Sequence, residues 1–342
     1  DDDVARRDVV NARRPIAYGN WALWVAVLAV TLQLLWAIAD NKNFGWGGGG
    51  LYESRAQNCS IRGNYSTNGG GVYWSYITNC VIESNSATYG GGTYNGVVVR
   101  CILRGNVASN SGGGLYDGTI RGCLVAGNSA REGGGGTYFL NGGSLENCTV
   151  AGNSSDYAGG ICFGSADSCV IYSNSASAAQ AAQGRQNYLN ATLNRTCTEP
   201  LPESGANNFT NAPCFVSAEG GDYRLAPDSP CIDAGTNKAW MSDSIDLDGR
   251  PRIIHRTVDL GAYEALLADW DTDADRMRDW QEIYAGTDPD DSNSFLYAEA
   301  VVSSEAAGNV VRWPSVDGKR YRVDRSTNLV SDPFLFNVQS NI

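Results

Sequence analysis

The sequence is poor in the residues from which most active sites and metal centres are built. Among 342 residues there is one histidine, His255, and there are two methionines. A single His leaves imidazole acid–base chemistry one candidate, and a satisfied or solvent-exposed side chain is its plainer reading. No two of the ten cysteines stand in a C-x-x-C pair, which removes the usual zinc spacing. No nucleophile elbow is present. Positive charge is also short: 25 Lys and Arg against 37 Asp and Glu give a net charge of −12. An acidic chain of this kind argues against nucleic acid as a partner. Leucine is scarce, so the framework of a leucine-rich repeat is missing.

What the chain has instead is a period. Cys59, Cys80, Cys101, Cys123, Cys148 and Cys169 are each followed five residues later by an asparagine: Asn64, Asn85, Asn106, Asn128, Asn153 and Asn174. Both series advance by 21, 21, 22, 25 and 21 residues. Two residue types that hold one phase through insertions mark a single structural unit, repeated at least six times. Two residues after each Cys stands an aliphatic, in order Ile61, Ile82, Leu103, Val125, Val150 and Ile171. That separation puts Cys and aliphatic on one face of a strand, and small beside branched suits a narrow, dry interior. The residues beyond the aliphatics, Arg62, Glu83, Arg104, Ala126, Ala151 and Tyr172, are expected to form an outward column.

Between the marks run glycines: 69–71, 90–92, 112–114, 133–136 and 159–160. They recur with the period, so they are structural and not phosphate cradles. Glycine every turn and short β-branched stretches oppose helix, which excludes a helical solenoid. A parallel β-helix fits, with coils stacked about 4.8 Å apart. The asparagines then have two expected tasks, left-handed turns and side-chain amide bonding along the axis. Tyr52, Tyr73, Tyr94, Tyr116 and Tyr138 follow the glycine runs as a further column, and Cys162 takes that place in the sixth unit.

The pattern N-C-x-I-x-x-N-S-A-x-x-G-G-G-x-Y over about residues 47–176 resembles the right-handed parallel β-helix repeats of bacterial surface proteins and the short repeats of chlamydial polymorphic outer-membrane proteins. A second resemblance lies in residues 207–264. There Pro213-Cys214-Phe215-Val216, Asp222-Tyr223-Arg224-Leu225, Ser229-Pro230-Cys231-Ile232-Asp233-Ala234-Gly235, Asp246-Leu247-Asp248-Gly249-Arg250-Pro251-Arg252 and Val258-Asp259-Leu260-Gly261-Ala262-Tyr263-Glu264 are similar to the closing segment of the β-helix proteins called choice-of-anchor Q. This implies the last coils and a cap, which an open coil end requires. Asp246, Asp248 and Asp259 are acidic enough to suggest a metal, but Asp accepting backbone N–H bonds in turns is the simpler expectation.

Four segments are expected. Residues 1–39 carry four Asp and four Arg, then the uncharged run Trp21 to Ala39 ending in Ala37-Ile38-Ala39 before Asp40. This reads as a signal peptide or a membrane anchor, the only contact with a membrane being residues 21–39. Either places the remainder outside the cytoplasm, secreted or at the cell surface. Residues 40–268 form the β-helix with its closing segment. In an exported chain disulfides are natural, but six stacked cysteines in register are expected to stay reduced. Cys197, Cys214 and Cys231 lie outside the ladder, and a bond among these three is the better candidate.

Residues 269–292 hold Asp271, Asp273, Asp275, Met277, Asp279 and Glu282 at positions 1, 3, 5, 7, 9 and 12 of a calcium loop, position 7 supplying its backbone carbonyl. The loop resembles the D-x-D-x-D-G-x-x-D-x-x-E repeats of bacterial surface proteins, akin to thrombospondin type 3 and dockerin loops, and so implies a structural calcium. Arg276 stands where the turn glycine belongs. A solvated acidic helix start is the alternative. Residues 293–342 alternate as Val310-Val311-Arg312-Trp313 and Tyr321-Arg322-Val323-Asp324, which reads as a small antiparallel module similar to part of a fibronectin-like domain.

The fold class expected is therefore all-β: a right-handed parallel β-helix solenoid with a small C-terminal antiparallel module. On the coils Glu53, Glu83, Asp117, Glu132, Glu146, Asp156 and Asp167 fall in different phases and form no matched acid pair. Non-catalytic binding or adhesion to an extracellular glycan or surface is the expected function. A polysaccharide lyase or hydrolase and a self-assembling scaffold are the alternatives. The five tyrosines are the candidate ligand-facing residues if they turn outward to meet sugar rings; packing against each other along the stack is the competing arrangement.

Overall fold

The computed structural model describes residues 36–45, 47–254, 257–265, 270–295, 299–302 and 309–312. Most of residues 1–39, His255 and the Tyr321–Asp324 stretch lie outside them. Contacts divide the chain into two units, one holding residues up to 253 with 257–265, the other 254–256 with the remainder.

The first unit is a parallel β-solenoid of three sheets. The Cys strands stack into an eight-stranded sheet, from Trp36–Ala39 through Cys59–Arg62, Val81–Glu83, Ile102–Arg104, Leu124–Ala126, Thr149–Ala151 and Val170–Tyr172 to Cys197–Thr198. The strands after the asparagines make a four-stranded sheet, and those around the tyrosines a twelve-stranded one. Register follows the sequence period: Ile61 pairs with Ile82, Ile82 with Leu103, Leu103 with Val125, Val125 with Val150 and Val150 with Ile171. All six aliphatics are fully buried, and all six cysteines are buried and free. A full aliphatic side chain removed from water contributes about 1.5–3 kcal/mol, so this column is one large source of cohesion. Trp36–Ala39, the end of the uncharged run, pairs in register with Cys59–Arg62 and so forms the first strand of the solenoid. Among the described residues no helix is long and apolar enough to cross a membrane.

The asparagine column is a continuous buried hydrogen-bond ladder. In each step the side-chain amide and the backbone N–H of one Asn both donate to the Oδ1 of the next, at 2.9–3.0 Å between Asn64 and Asn174. The second amide proton goes to a strand carbonyl of the preceding coil, as from Asn85 to Ile61 at 2.9 Å. The ladder is longer than the sequence period. Asn41 starts it, donating to Asn64, and Asn187 ends it, accepting from Asn174 and donating to the Glu199 carbonyl at 2.8 Å. Asn187 lies 13 residues after Asn174. It enters from the coil position of the glycine run, opposite Gly160, after an excursion carrying the short helix Ala178–Ala181 that lengthens the chain at this coil.

One expected task of the asparagines falls to their neighbours. The left-handed residue is the one just before each Asn, such as Gly63, Ser84, Gly105 and Gly127, with φ between 53° and 63°. A second left-handed residue precedes each Cys, as at Asn58, Asn79 and Arg100. The middle glycines of the runs answer a different constraint. A Cβ on Gly113 would sit 2.3 Å from the Gly135 carbonyl oxygen of the next coil and 2.4 Å from that of Ser129. The coils meet there backbone to backbone, which only glycine permits.

The outward column behaves as expected only in its first half. Arg62 and Arg104 are exposed, and Arg104 pairs with Glu83 at 2.8 Å. Ala126 and Ala151 are buried instead. Residues 213–253 and 257–265 fold back along the outside of the eight-stranded sheet and cover its later strands. Tyr223, on the antiparallel strand pair Phe215–Ser217 and Asp222–Leu225, packs over Leu124, Ala126 and Ala151. The closing segment therefore lies against the flank of the stack. Small and apolar outward residues on the later coils (Leu124, Ala126, Ala151, Val170) make that flank sticky, whereas Arg62, Glu83 and Arg104 keep the earlier coils wet. Backbone bonds tie it down: Gly261 N–H to the Ser168 carbonyl at 3.1 Å, and Ala262 N–H to the Thr149 hydroxyl at 3.0 Å.

In the second unit, Asp279–Ala285 is a short helix ended by Gly286 in the left-handed conformation. Glu299–Val302 pairs antiparallel with Asn309–Arg312.

Candidate functional site

The five tyrosines are brought into one column by strand register, Tyr52 against Tyr73, Tyr73 against Tyr94, Tyr94 against Tyr116 and Tyr116 against Tyr138. Their rings stack nearly parallel, with centroids 5.3, 5.3, 5.0 and 5.2 Å apart and interplanar angles of 5°, 12°, 4° and 20°. Phe163 closes the far end edge-on against Tyr138 at 5.4 Å. Each inner ring thus has both faces occupied by its neighbours. What the column offers solvent is ring edges and hydroxyls. Tyr73, Tyr94 and Tyr138 are half-buried and Tyr116 is buried, so the inner rings pack against one another along the stack.

Exposed aromatic side chains occur at the first coils. Tyr52 is 52 % exposed, Trp74 54 % and Tyr76 46 %. Trp74 sits at a corner with φ 49°, its ring 6.4 Å from that of Tyr73. Phe44 and Tyr65 form another exposed pair with centroids 5.7 Å apart. Sequence period alone did not single out Trp74, because it occurs once; its placement between two periodic elements was the available signal. At the other end of the column burial and the Asp117 carboxylate push the Tyr116 phenol up to about 12, and burial pushes the Cys162 thiol up to about 12.

Most coil carboxylates are already engaged. Asp117 accepts from the backbone and the side-chain amide of Asn141, at 2.9 and 2.6 Å. Glu146 and Asp167 belong to one network. Arg121 meets Glu146 at 2.8 Å, Arg195 meets Asp167 at 2.8 Å, and Lys238 from the covering segment reaches both, at 3.2 and 2.8 Å. Burial opposes ionisation of Asp167, but its bonds to Lys238 and Arg195 prevail and lower its pKa. The same partners raise that of Lys238 against its own burial. The network is a lateral fastener between the solenoid and its cover.

Asp246 and Asp259 of the covering segment are turn-formers, as the simpler expectation had it. Asp246 accepts N–H bonds from Asp248, Arg250 and Glu264 at 2.8–2.9 Å, and Asp259 accepts from Asp233 and Ala265. Glu264 pairs with the fully buried Arg252 at 3.0 Å. Burial raises Asp246, Asp259 (to about 6) and Glu264. Asp248 is peripheral, 3.7–3.9 Å from Arg224 and Arg250.

The acidic loop of the second unit gathers what a hard cation needs. One carboxylate oxygen each from Asp271, Asp273 and Asp275 lies within 4.8 Å of the others. Asp271 Oδ1, Asp273 Oδ2 and Asp275 Oδ2 are buried without hydrogen-bond partners. Glu282, on the helix, is fully buried, and neither of its carboxylate oxygens has a partner either. Burial first, then the charges of Asp273, Asp275 and Asp279, push Glu282 up to about 8. The other oxygens shape the loop: Asp271 accepts from Arg276 N–H, Asp273 from Asp275 N–H and Asp275 from Met277 N–H. Asp279 is occupied in closing it, accepting from the Thr272 N–H and hydroxyl at 2.8 and 2.7 Å. Arg276 adopts φ 82°, the left-handed conformation in which glycine is usual.

No family model and no curated protein matches the chain. Among solved structures it is similar to one described as the crystal structure of pectate lyase Pel9A, at 14% identity and TM-score 0.38, over 67% of this chain and 69% of that one. A likeness this distant bears on no activity.

Proposed function

We propose that this is an exported surface or extracellular β-helix protein that binds glycans or glycan-coated surfaces without turning them over. The observation that carries the reading is the aromatic strip: a stacked tyrosine column with the half-exposed Tyr52 and Trp74 at its first coils. Aromatic faces bearing polar edges are suited to sugar rings. Engagement of Glu83, Glu146 and Asp167 with Arg and Lys, and of Asp117 with Asn141, speaks against the paired free carboxylates that glycoside chemistry uses. A glycan array with the full chain and its Trp74→Ala and Tyr52→Ala variants tests the proposal, together with a lyase assay on uronate polymers. Retained binding that both variants weaken supports it. Turnover of a polymer replaces it with the lyase reading.

The acidic loop is proposed to hold a structural calcium through Asp271, Asp273, Asp275 and Glu282, with the Met277 carbonyl as a further ligand. Three carboxylates drawn together without a counter-charge, and a fourth, Glu282, fully buried, unpartnered and within reach of their charge, are costly unless a cation joins them. Calcium would neutralise them and fix the helix Asp279–Ala285 to its loop.

A further inference from the structure

Cys197 differs from the six ladder cysteines by one residue of phase. Val170 pairs with Cys197 and Ile171 with Thr198, so the partner of Cys169 is Thr196. Thr196 takes over the ladder position in detail. It is fully buried, and its hydroxyl donates to the carbonyl two residues back, Asn194, at 2.9 Å. The ladder thiols donate the same way, as from Cys169 to Asp167 at 3.3 Å. Cys197 therefore continues the column of Ile102, Leu124, Thr149 and Val170. In a strand a shift of one residue reverses the side chain, so Cys197 faces the covered flank and not the interior.

What covers it there is Cys231. Both are fully buried in one apolar cluster with Val170, Leu225, Leu260 and Ala265. The Cys197 thiol donates to the Asn211 carbonyl at 3.1 Å, beside Cys231 in that cluster. The Cys231 carbonyl accepts from Leu260 N–H at 2.9 Å and its N–H donates to the Ser229 hydroxyl at 3.2 Å, which fixes its backbone in the covering segment. Cys214, half-buried, donates instead to the Ala212 carbonyl. The ladder sulfurs are differently placed: each of Cys80, Cys101, Cys123 and Cys169 accepts an N–H from the coil before it and donates within its own coil.

From this placement we infer that Cys197 and Cys231 are the site of a disulfide that locks the covering segment to the last coil. The bond forms by exchange with a disulfide oxidant of the glutathione-disulfide class. One protein thiolate attacks the oxidant's S–S bond, forming a mixed disulfide and releasing the first oxidant thiolate. The second protein thiolate then attacks the protein sulfur of that mixed disulfide and releases the other. The two cysteines lose two electrons and two protons, and the oxidant leaves as two thiols. Exchange takes place before the cover docks, since both sulfurs are buried afterwards.

The test is peptide mapping of the full chain refolded from the reduced, denatured state in the presence of oxidised glutathione, with free thiols alkylated under denaturing conditions. The expected product is one cross-linked pair, Cys197 with Cys231, while the six ladder cysteines and Cys162 are alkylated. Thermal unfolding then separates the roles. Reductant should lower the midpoint of the oxidised wild type and of Cys214→Ser, and should leave Cys197→Ser and Cys231→Ser unchanged. Recovery of both Cys197 and Cys231 as free thiols, or a bond of either one to Cys214, overturns the assignment. So does a reductant response that persists in Cys197→Ser.

Discussion

Asn128→Ala removes the centre of the amide ladder, and its cost can be worked bond by bond. The Asn128 side chain donates to the Leu103 carbonyl at 2.9 Å and to Asn153 Oδ1 at 3.0 Å. Its Oδ1 accepts from the Asn106 N–H at 3.0 Å and the Asn106 amide at 2.9 Å. Four buried bonds vanish. Asn153 Oδ1 keeps the Asn128 N–H at 2.9 Å, but the Asn106 backbone N–H and one amide proton are left buried without an acceptor. At about 1–3 kcal/mol for each stranded group, the expected loss is about 3–5 kcal/mol. Asn41→Ala is the internal control, because it loses only the amide bond to Asn64 at 2.9 Å, while the Asn41 N–H bond to the same oxygen survives. That should cost about 0.5–1.5 kcal/mol. Amide hydrogen exchange reads both, since a solenoid opens coil by coil and local protection reports the affected interface. Protection should fall most on the coils flanking Asn128, by a factor of roughly a hundred or more at 1.4 kcal/mol per tenfold. Equal effects from the two substitutions, or a change under about tenfold around Asn128, would refute the view that the ladder is a main source of coil-to-coil cohesion.

Three further outcomes are expected. Ala151→Arg places a charge where Tyr223 packs, so residues 213–265 should lose exchange protection while the circular dichroism of the coils persists; Arg104→Ala, on the wet half of the same face, should change stability by less than about 1 kcal/mol. The raised pKa of Glu282 sets a pH signature for the second unit. A carboxyl whose folded pKa is about 8 lies above its unfolded value, so without metal its contribution favours folding at low pH and turns unfavourable as pH rises from about 4.5 through about 8. Calcium should cancel that loss, making the chelator-induced drop in thermal midpoint larger at pH 7.5 than at pH 5, and an equal drop at both would count against Glu282 as a ligand. Cleavage after Ala39 would strip the strand Trp36–Ala39 and take the Ile38 carbonyl from the Asn64 amide, which it meets at 2.9 Å. Terminal sequencing of exported protein should therefore find processing before Trp36, and a mature chain beginning at Asp40 would overturn this.

The solenoid was legible because its physics is periodic. A buried Cys, a buried aliphatic two residues on and an Asn three further must recur whenever a coil closes, so six repetitions spell out one strand and one turn. The ends of the same ladder were hidden for the same reason. Asn41 and Asn187 do the identical hydrogen bonding, but Asn187 reaches its place from another part of the coil, and spacing carries no trace of it. The tyrosine column was visible as a column, while the fate of its ring faces was not: register fixes which residues are adjacent, and only the ring planes decide whether neighbours or solvent occupy them. Likewise the outward column was read correctly as outward from the coil. Whether outward means wet depends on a segment 60 to 140 residues away in sequence. The hint lay in the residues, since the column passes from Arg62, Glu83 and Arg104 to Ala126 and Ala151 where the cover begins. A change of chemistry along a face of constant geometry marks where another part of the chain comes to rest. By that argument the uncovered part of the first unit, among its described residues, is the earlier coils, where the charged outward residues and the exposed Tyr52, Trp74 and Tyr76 are found, and it is there that a ligand-binding surface should be sought.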